Sequence, residues 1–372
     1  MSFRHRSIFL ALVTVAVACH GATAGQEPTP TSAATPGPLP LTWRPPTLVN
    51  PITVTLCNCN LDGDDIIVNL QVGQDYILKD PVVLTHPVVI EGGHNIVWIG
   101  GVVRPSSGPD IGIQLIRNVG YRGGTVHLEG IYLDGIKGVL TDGIEGGEWA
   151  TLYKPTGTLA DATLQIENVR IDHLSGDSAV THQDCIQQYG GWTDLRVDHF
   201  TCTTLYQGFN LPWQDSQSNN YGVLTHWDLR NANLHDAPNS TGPGMQTLIH
   251  FGDLGDGVFN ATSHQQSGNL SNVYLHATQQ SLDEETYPNS GSRSLDGTVI
   301  HSTVNANGMI TWADSWAVDG YVVPGDPPGG DYVPPGVAGL QYISPGYQLA
   351  EVFPRLSQCL GPWSRPTSAE FD

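Results

Sequence analysis

The sequence predicts an all-β chain that forms a single right-handed parallel β-helix with loop insertions and a Pro/Gly-rich C-terminal cap. Composition is the first indication: of 372 residues, 43 are Gly and 26 are Pro, and only 14% are charged, which favours turns over helices. The second is an imperfect repeat, in which short β-rich runs end in Gly or small polar residues at intervals of about 25 to 40 residues. No helical segments separate these runs. Stacked coils that bury their aliphatic side chains therefore explain the repeat better than propeller hairpins do.

The amino terminus has the features of a bacterial export signal. Arg4 and Arg6 precede an apolar run that is too short to span a bilayer. We assign residues 1–24 to this signal. It is either cleaved after a small residue, or it contains a degenerate lipobox, VAVAC, that makes Cys19 the lipidated first residue. The Pro/Thr-rich residues 25–47 are predicted to form an extended linker. The protein is therefore expected to be secreted, or held at the cell surface by a lipid that is its only membrane contact.

The parallel β-helix is predicted over residues 48–320. Insertions enlarge particular turns, and in a solenoid such loops tend to lie on one face, where they would wall a cleft. Trp192 and Trp213 lie on or beside these turns and are candidates for stacking on sugar rings. Residues 321–372 are rich in Pro and Gly and break the repeat. They are predicted to cap the end of the solenoid.

Cysteine positions predict one disulfide directly. The six cysteines include Cys19, which leaves an odd number in the folded part. Export permits disulfides, and Cys185 and Cys202 fall at equivalent positions of neighbouring units, so we predict that they pair. Cys57 and Cys59 lack the second Cys or His pair of a zinc site, and a structural or disulfide role is expected for them.

The formal net charge of −21 restricts the partners. Nucleic acids and anionic membrane surfaces attract basic patches, so neither is an expected partner. A polyanionic substrate would need a local basic cleft or a bridging divalent cation. Ca²⁺ is the natural candidate in an exported acidic protein, and no other cofactor is indicated.

Polar side chains recur at equivalent positions of successive units. Aligning the strand-like runs places two rows side by side: Asp142, Asp184 and Gln207 in one row, and Glu145, Gln187 and Asn210 in the other. Adjacent strands of such a ladder lie about 4.8 Å apart. Carboxylates one coil apart would therefore have nearly the spacing of a retaining glycosidase, and carboxylates two coils apart that of an inverting one.

The segments TDGIEGG, HQDCIQQYGG and YQGFNL, which lie between Thr141 and Leu211, resemble a known family. They are similar to polygalacturonase-type glycoside hydrolases of the pectin-lyase-like superfamily, whose β-helix carries NTDG, DDCIAI and GHG. The resemblance places Asp142 on the Asp of NTDG and Asp184 on the second Asp of the DD pair. It also places Cys185 and Cys202 on cysteine positions of the family, and it implies a polysaccharide substrate.

Departures from the family pattern affect the expected chemistry. Gln183 stands where the family has its other DD carboxylate, Tyr206, Gln207 and Gly208 replace GHG, and no later RIK segment is present. Because a Gln side chain cannot donate a proton in acid catalysis, an inverting hydrolase would need another acid. The nearest candidates are His182 and Glu145.

Two alternatives follow from the same residues. A polysaccharide lyase would use Tyr206 or His182 as base or acid, with Arg196, Lys154 or Ca²⁺ neutralising a uronate carboxylate. A non-catalytic glycan-binding surface protein would lack a converging carboxylate pair. We expect a glycoside hydrolase first, with Asp184, Asp142, His182 and Tyr206 as catalytic candidates. The candidate substrate-binding residues are Gln187, Gln207, Glu145, Asn210, Arg196, Trp192 and Trp213.

Overall fold

β-Strands form almost all of the regular structure. The computed structural model describes, within the unit Thr35–Asp372, residues 39–59, 61–106, 112–116, 123–135, 142–146, 162–174, 183–188, 192–204, 206–211, 224, 226–237, 247–251, 258–259, 267–277, 286–287, 293–294, 302–312 and 318–346. These residues contain no helix, and so none long and apolar enough to cross a membrane.

The described residues form the following strands in chain order: β1 (Ile52–Thr55), β2 (Leu61–Asp62), β3 (Asp65–Leu70), β4 (Tyr76–Lys79), β5 (Val88–Gly92), β6 (Ile96–Val103), β7 (Ile113–Ile116), β8 (Thr125–Asp134), β9 (Ile144–Gly146), β10 (Thr163–Asp172), β11 (Asp184–Gln188), β12 (Asp194–Thr204), β13 (Gln207–Leu211), β14 (His226–Asp236), β15 (Thr247–Phe251), β16 (Val258–Phe259), β17 (Ser267–His276), β18 (Thr286–Tyr287), β19 (Arg293–Ser294), β20 (Ser302–Val304), β21 (Ile310–Trp312) and β22 (Val318–Pro324).

Two large sheets contain all but two of these strands. The first sheet has the order β1-β4-β6-β8-β10-β12-β14-β17-β22-β21-β20, and the second has the order β18-β15-β13-β11-β9-β7-β5-β3-β2. From β3 to β15, successive strands belong alternately to the second and the first sheet, and neighbours within each sheet are parallel. Each coil of the chain thus adds one strand to each sheet, as in a solenoid. This arrangement confirms the prediction of an all-β, solenoid-like fold.

The inner faces of the two sheets meet in one continuous apolar core. Phe200 of β12 and Phe209 of β13 pack with ring centroids 5.3 Å apart. The predicted disulfide between Cys185 of β11 and Cys202 of β12 is present and joins the two sheets. Cys57 and Cys59 form a second disulfide, in line with the role expected for them, whereas Cys19 and Cys359 lie outside the described residues.

Six strands of the first sheet bend at one equivalent position. The bend is a residue with positive φ in each strand: Gly100, Gly130, Asn168, His199, Asn231 and Asn272. In β8 the side chains of Val126 and Leu128 face the core before the bend, and those of Ile131 and Leu133 face it after the bend. The alternation of inward and outward side chains is therefore shifted by one residue at the bend. Gly and Asn adopt this conformation most easily. At Gly130 a Cβ would also lie 2.1 Å from the ring of Tyr342, so that position requires glycine on two grounds.

A row of acidic residues lies buried on the outer face of the first sheet. Glu129, Glu167 and Asp198 are neighbours in register and are fully buried. Residues 39–47, predicted as the end of an extended linker, cover part of this row. The backbone N–H groups of Thr42 and Trp43 donate to the Glu167 carboxylate at 3.0 and 2.6 Å. This part of the linker is therefore docked on the sheet.

The tail from Asp326 to Gly346, here called the C-terminal strap, crosses the same outer face. It contacts β14 through Asp331, β12 through Val333, and β8 through Gly339, whose N–H donates to Gly130 at 2.8 Å. The sequence predicted a cap over the end of the solenoid, but up to Gly346 the tail lies along the sheet instead. It does so because the outward polar side chains of successive strands offer it hydrogen-bonding partners.

Tyr342 fixes the far end of the strap. Its hydroxyl donates to Glu129 Oε1 at 2.8 Å and accepts from Asn168 Nδ2 at 2.6 Å. We expect Tyr342→Phe to lower the free energy of unfolding by about 1–3 kcal/mol, because two buried polar groups would lose a partner. Urea unfolding measures the free energy of unfolding of Tyr342→Phe, and the control is Tyr321→Phe, which changes an exposed tyrosine. Equal stabilities of the two variants would contradict it.

Candidate active site

The predicted polar rows are formed by β9, β11 and β13 of the second sheet. Asp184 lies opposite Gln207, and Gln187 lies between Glu145 on one side and Asn210 on the other. This is the register expected from the sequence. Parallel strands keep equivalent positions of successive coils side by side, so the recurring polar residues must stack.

Asp142, two residues before the start of β9, is linked directly to the next coil. The backbone N–H of Asp184 donates to Asp142 Oδ1 at 2.9 Å, and the N–H of Gly143 donates to the carbonyl of Asp184 at 2.8 Å. The strands that follow, β9 and β11, are direct neighbours. The two aspartates are therefore one coil apart, which decides between the two spacings that the sequence left open.

The Asp184 carboxyl group is 0% exposed, and only one of its two oxygens has a hydrogen-bond partner among the described residues. Its Oδ2 accepts a hydrogen bond from Asn210 Nδ2 at 2.8 Å. Its Oδ1 has no hydrogen-bond partner in the described part of the chain. Since buried polar atoms are normally paired, this oxygen is a place where a proton or a ligand atom can be accommodated.

His250 of β15 extends the polar network by one more coil. Its Nδ1 lies 3.2 Å from Asn210 Oδ1. The Asn210 amide nitrogen is used by Asp184, so its oxygen accepts a hydrogen from the imidazole, which places the ring proton on Nδ1. Burial lowers the pKa of His250 to about 4, and the ring is neutral at physiological pH. Asp184, Asn210 and His250 thus form a continuous hydrogen-bonded chain.

Both aspartates hold protons more tightly than an exposed carboxyl group does. Burial raises the pKa of Asp142 to about 7, although the hydrogen bond from Asp184 opposes the shift. Burial raises the pKa of Asp184 well above its ordinary value, and the negative charges of Asp142 and Glu145 add to this effect. Two neighbouring carboxyl groups in a buried site cannot easily both be ionised. The pair therefore retains a proton near neutral pH.

The remaining polar candidates of these strands surround the pair. Tyr206, directly before β13, is 9% exposed, and Asp142 is 8% exposed. Burial and the nearby Asp184 charge raise the pKa of Tyr206. Gln187, Gln207 and Glu145 are buried. Asp142 and Tyr206 are thus the most exposed members of the group.

Two predicted substrate-binding residues lie elsewhere. Trp192 is fully buried in the apolar core, so it cannot present a ring face to a sugar. Arg196 lies in β12 of the first sheet and pairs with Asp194 at 2.7 Å, so it is not brought together with the aspartate pair of the second sheet. His182 and Trp213 lie outside the described residues.

From the sequence, His250 extends the polar rows by one more unit, but it was not among the residues predicted to be catalytic or substrate-binding. It occupies the position in LIHFGD that corresponds to Asn210 in the preceding unit, and the register of β13 and β15 pairs the two. Among the described residues, the aspartate pair is not part of any group of three acidic, His or Cys ligands close enough to hold a metal.

Comparison of the chain with protein-family models, with curated proteins and with solved structures gives no match. Functional inference therefore depends on the chemistry of the site. A buried pair of coupled carboxyl groups, one holding a proton and the other ionising first, can supply an acid and a base or nucleophile to one bond.

Proposed function

We propose that the protein is an exported enzyme that hydrolyses a glycosidic bond of a polysaccharide at Asp142 and Asp184. We further propose that its solenoid is a right-handed parallel β-helix, since crossovers between parallel strands of one sheet are right-handed in about 98% of cases. The observation that carries the proposed activity is the coupled carboxyl pair, in which Oδ1 of the buried Asp184 lacks a partner among the described residues. Two disulfides fit an oxidising compartment outside the cytoplasm.

The separation of the pair favours a retaining reaction. The aspartates lie on adjacent coils, which are about 4.8 Å apart, and carboxyl groups about 5–5.5 Å apart act as acid and nucleophile in retaining glycosidases. An inverting enzyme needs room for a water molecule between substrate and base, and hence about 6.5–9.5 Å. The hydrogen bond from the Asp184 backbone N–H to Asp142 Oδ1, at 2.9 Å, holds the two residues on adjacent coils and so favours the shorter separation.

Roles follow from the two environments. Asp142 is the more exposed of the two carboxyl groups, and only at Asp184 do neighbouring negative charges add to the effect of burial on the pKa. We therefore assign the ionised form to Asp142, whose carboxylate attacks the anomeric carbon. Asp184 retains its proton and transfers it to the glycosidic oxygen as the bond to the leaving sugar breaks. The Asp184 carboxylate then takes a proton from water, which attacks the same carbon and releases Asp142. Asn210 and His250 would hold the Asp184 side chain in one orientation.

The two alternatives receive less support. β-Elimination from a uronate needs a cation at the substrate carboxylate. Of the two basic candidates, Arg196 is bound to Asp194 on the other sheet, and Lys154 lies outside the described residues. A raised pKa also makes Tyr206 harder to ionise as a base. A protein that only binds glycans has no need for a coupled carboxyl pair, which costs stability when it is buried.

A panel of neutral and uronic polysaccharides, each with Ca²⁺ or with a chelator, tests the proposal. We expect new reducing ends from at least one substrate, without absorbance from unsaturated uronates. Reducing ends accompanied by that absorbance would establish a lyase instead. A complete lack of products across the panel, with retained binding to one polysaccharide, would support a binding protein.

A further inference from the structure

Two histidines and one aspartate meet where the C-terminal strap begins. His235 of β14 and His276 of β17 are partners in register, and their ring centroids are 5.7 Å apart. Asp326 is the first residue of the strap, and its Oδ1 lies 2.7 Å from His276 Nδ1 and 3.5 Å from His235 Nδ1. One ligand atom from each residue lies within 4.8 Å of the other two.

These distances suit a small tetrahedral ion. Zinc binds imidazole nitrogen and carboxylate oxygen at about 2.0–2.2 Å, so neighbouring ligand atoms of a tetrahedral site are about 3.3 Å apart. The separations of 2.7 and 3.5 Å to Asp326 Oδ1 bracket that value. The third separation, between the ligand nitrogens of the two histidines, is below 4.8 Å, so side-chain rotations can bring the three ligand atoms to the geometry of one ion.

A neighbouring carboxylate is placed to support one of the ligands. Asp331 Oδ1 lies 3.1 Å from His235 Nε2, on the side of the ring away from Asp326, and Arg170 Nη1 holds its other oxygen at 2.7 Å. Metal-binding histidines usually donate their second ring N–H to such a carboxylate.

We propose that His235, His276 and Asp326 bind a divalent transition-metal ion, Zn²⁺ first, which fastens the C-terminal strap to the first sheet. Two imidazoles favour zinc over Ca²⁺, which prefers six to eight oxygen ligands. All three ligands are partly exposed, so water reaches the fourth position. The site is on the outer face of the first sheet, and it is independent of the proposed hydrolysis at the second sheet.

Metal binding would move one proton on His235. Asn233 Nδ2 donates to His235 Nε2 at 2.7 Å, which leaves the ring proton on Nδ1, facing Asp326. With a metal ion on Nδ1, that proton would be lost to solvent and the neutral ring would carry its proton on Nε2, from which it would donate a hydrogen bond to Asp331. The Asn233 amide then keeps its other contact, to Asp331 Oδ1 at 3.0 Å.

Thermal unfolding of the untagged protein, first treated with a chelator, tests the proposal. We expect Zn²⁺ at about a hundredfold excess over its Kd to raise the Tm by about 5 °C. His276→Gln and Asp326→Asn should each abolish the increase. The control His94→Gln removes another His–Asp pair, at Asp75, which belongs to no group of three metal-ligating side chains among the described residues, and it should respond as the wild type does.

Either of two results would overturn the proposal: no Tm increase in the wild type, or an increase of the same size in both Asp326→Asn and His276→Gln. If His276→Gln fails to fold, Asp326→Asn decides alone, because its side chain is 51% exposed and no described hydrogen bond joins it to the core. Nitrogen-15 NMR provides a direct second reading, in which Zn²⁺ shifts the His235 tautomer from Nδ1–H to Nε2–H.

Discussion

Replacing Asp184 by Asn is expected to lower turnover about a thousandfold or more, because the variant loses the proton that leaves with the departing sugar. The change keeps the shape of the side chain, and its amide oxygen can still accept the hydrogen bond from Asn210. Binding of the polysaccharide should change little. Initial rates on the substrate found in the product panel measure the loss.

The same substitution should leave the protein as stable as the wild type or make it more stable. At pH 8 it removes a buried carboxyl group that Asp142 repels, and the neutral amide that replaces it has no charge to desolvate in the buried site. Substitution of a residue that served only packing would lower the stability of the protein and leave its activity unchanged. Loss of activity together with unchanged or increased stability would therefore mark Asp184 as functional.

Asp80 provides a matched control. It is also a buried aspartate whose pKa burial raises to about 7, but both of its oxygens are satisfied, by Trp98 Nε1 at 3.1 Å and by the Val102 N–H at 3.0 Å. Asp80→Asn replaces one acceptor by a donor, so it should lower the free energy of unfolding by about 1–3 kcal/mol and leave turnover intact. Full activity in Asp184→Asn would contradict the proposed mechanism.

The protein is expected to be several kcal/mol more stable at pH 5 than at pH 8. Burial raises the pKa values of Asp80 and Asp142 to about 7 and that of Glu167 to about 8. For an acid whose pKa is higher in the folded state, the unfolded chain ionises first, so the free energy of unfolding falls as the pH rises between the two values. Each unit of pKa shift corresponds to about 1.4 kcal/mol.

Other described groups act mainly at lower pH. Hydrogen bonds lower the pKa values of Asp75, Asp198 and Asp331, so the stability they contribute is lost as the pH falls below about 4. His250, with a pKa of about 4, reduces stability as the pH falls from 6.5 to 4. The decline in the free energy of unfolding above pH 6.5 is therefore attributed to the buried carboxyl groups.

Urea unfolding at several pH values measures this dependence, and Glu167→Gln should make it shallower. Both backbone hydrogen bonds to Glu167 come from residues 42 and 43, so the variant also tests the docked segment. A stability maximum at pH 8 would show that these carboxyl groups are not buried as described.

The site could be predicted from the sequence to the extent that it depends on the repeat. The chain brings one strand to each sheet per coil, so residues at equivalent positions of successive units become neighbours. This is why Asp184 lies opposite Gln207, and Gln187 opposite Glu145 and Asn210. The number of coils between Asp142 and Asp184 was ambiguous, because the intervening turn contains a long insertion.

Features that depend on distant packing could not be predicted in this way. Glu129, Glu167 and Asp198 alternate with apolar residues as exposed side chains do, and they are buried because residues 39–47 and the strap fold over them. Trp192 adjoins a turn, where an aromatic ring can either face solvent or pack inward. Here it packs inward, and no local pattern distinguishes the two outcomes.

The anomeric configuration of the first product, followed by proton NMR on the substrate with the fastest turnover, tests the central claim most directly. Two carboxyl groups on adjacent coils predict that the new reducing end retains the configuration of the bond that was cleaved. An inverted configuration would contradict the assignment of Asp142 and Asp184 as nucleophile and acid, because inversion requires a wider separation than neighbouring coils provide.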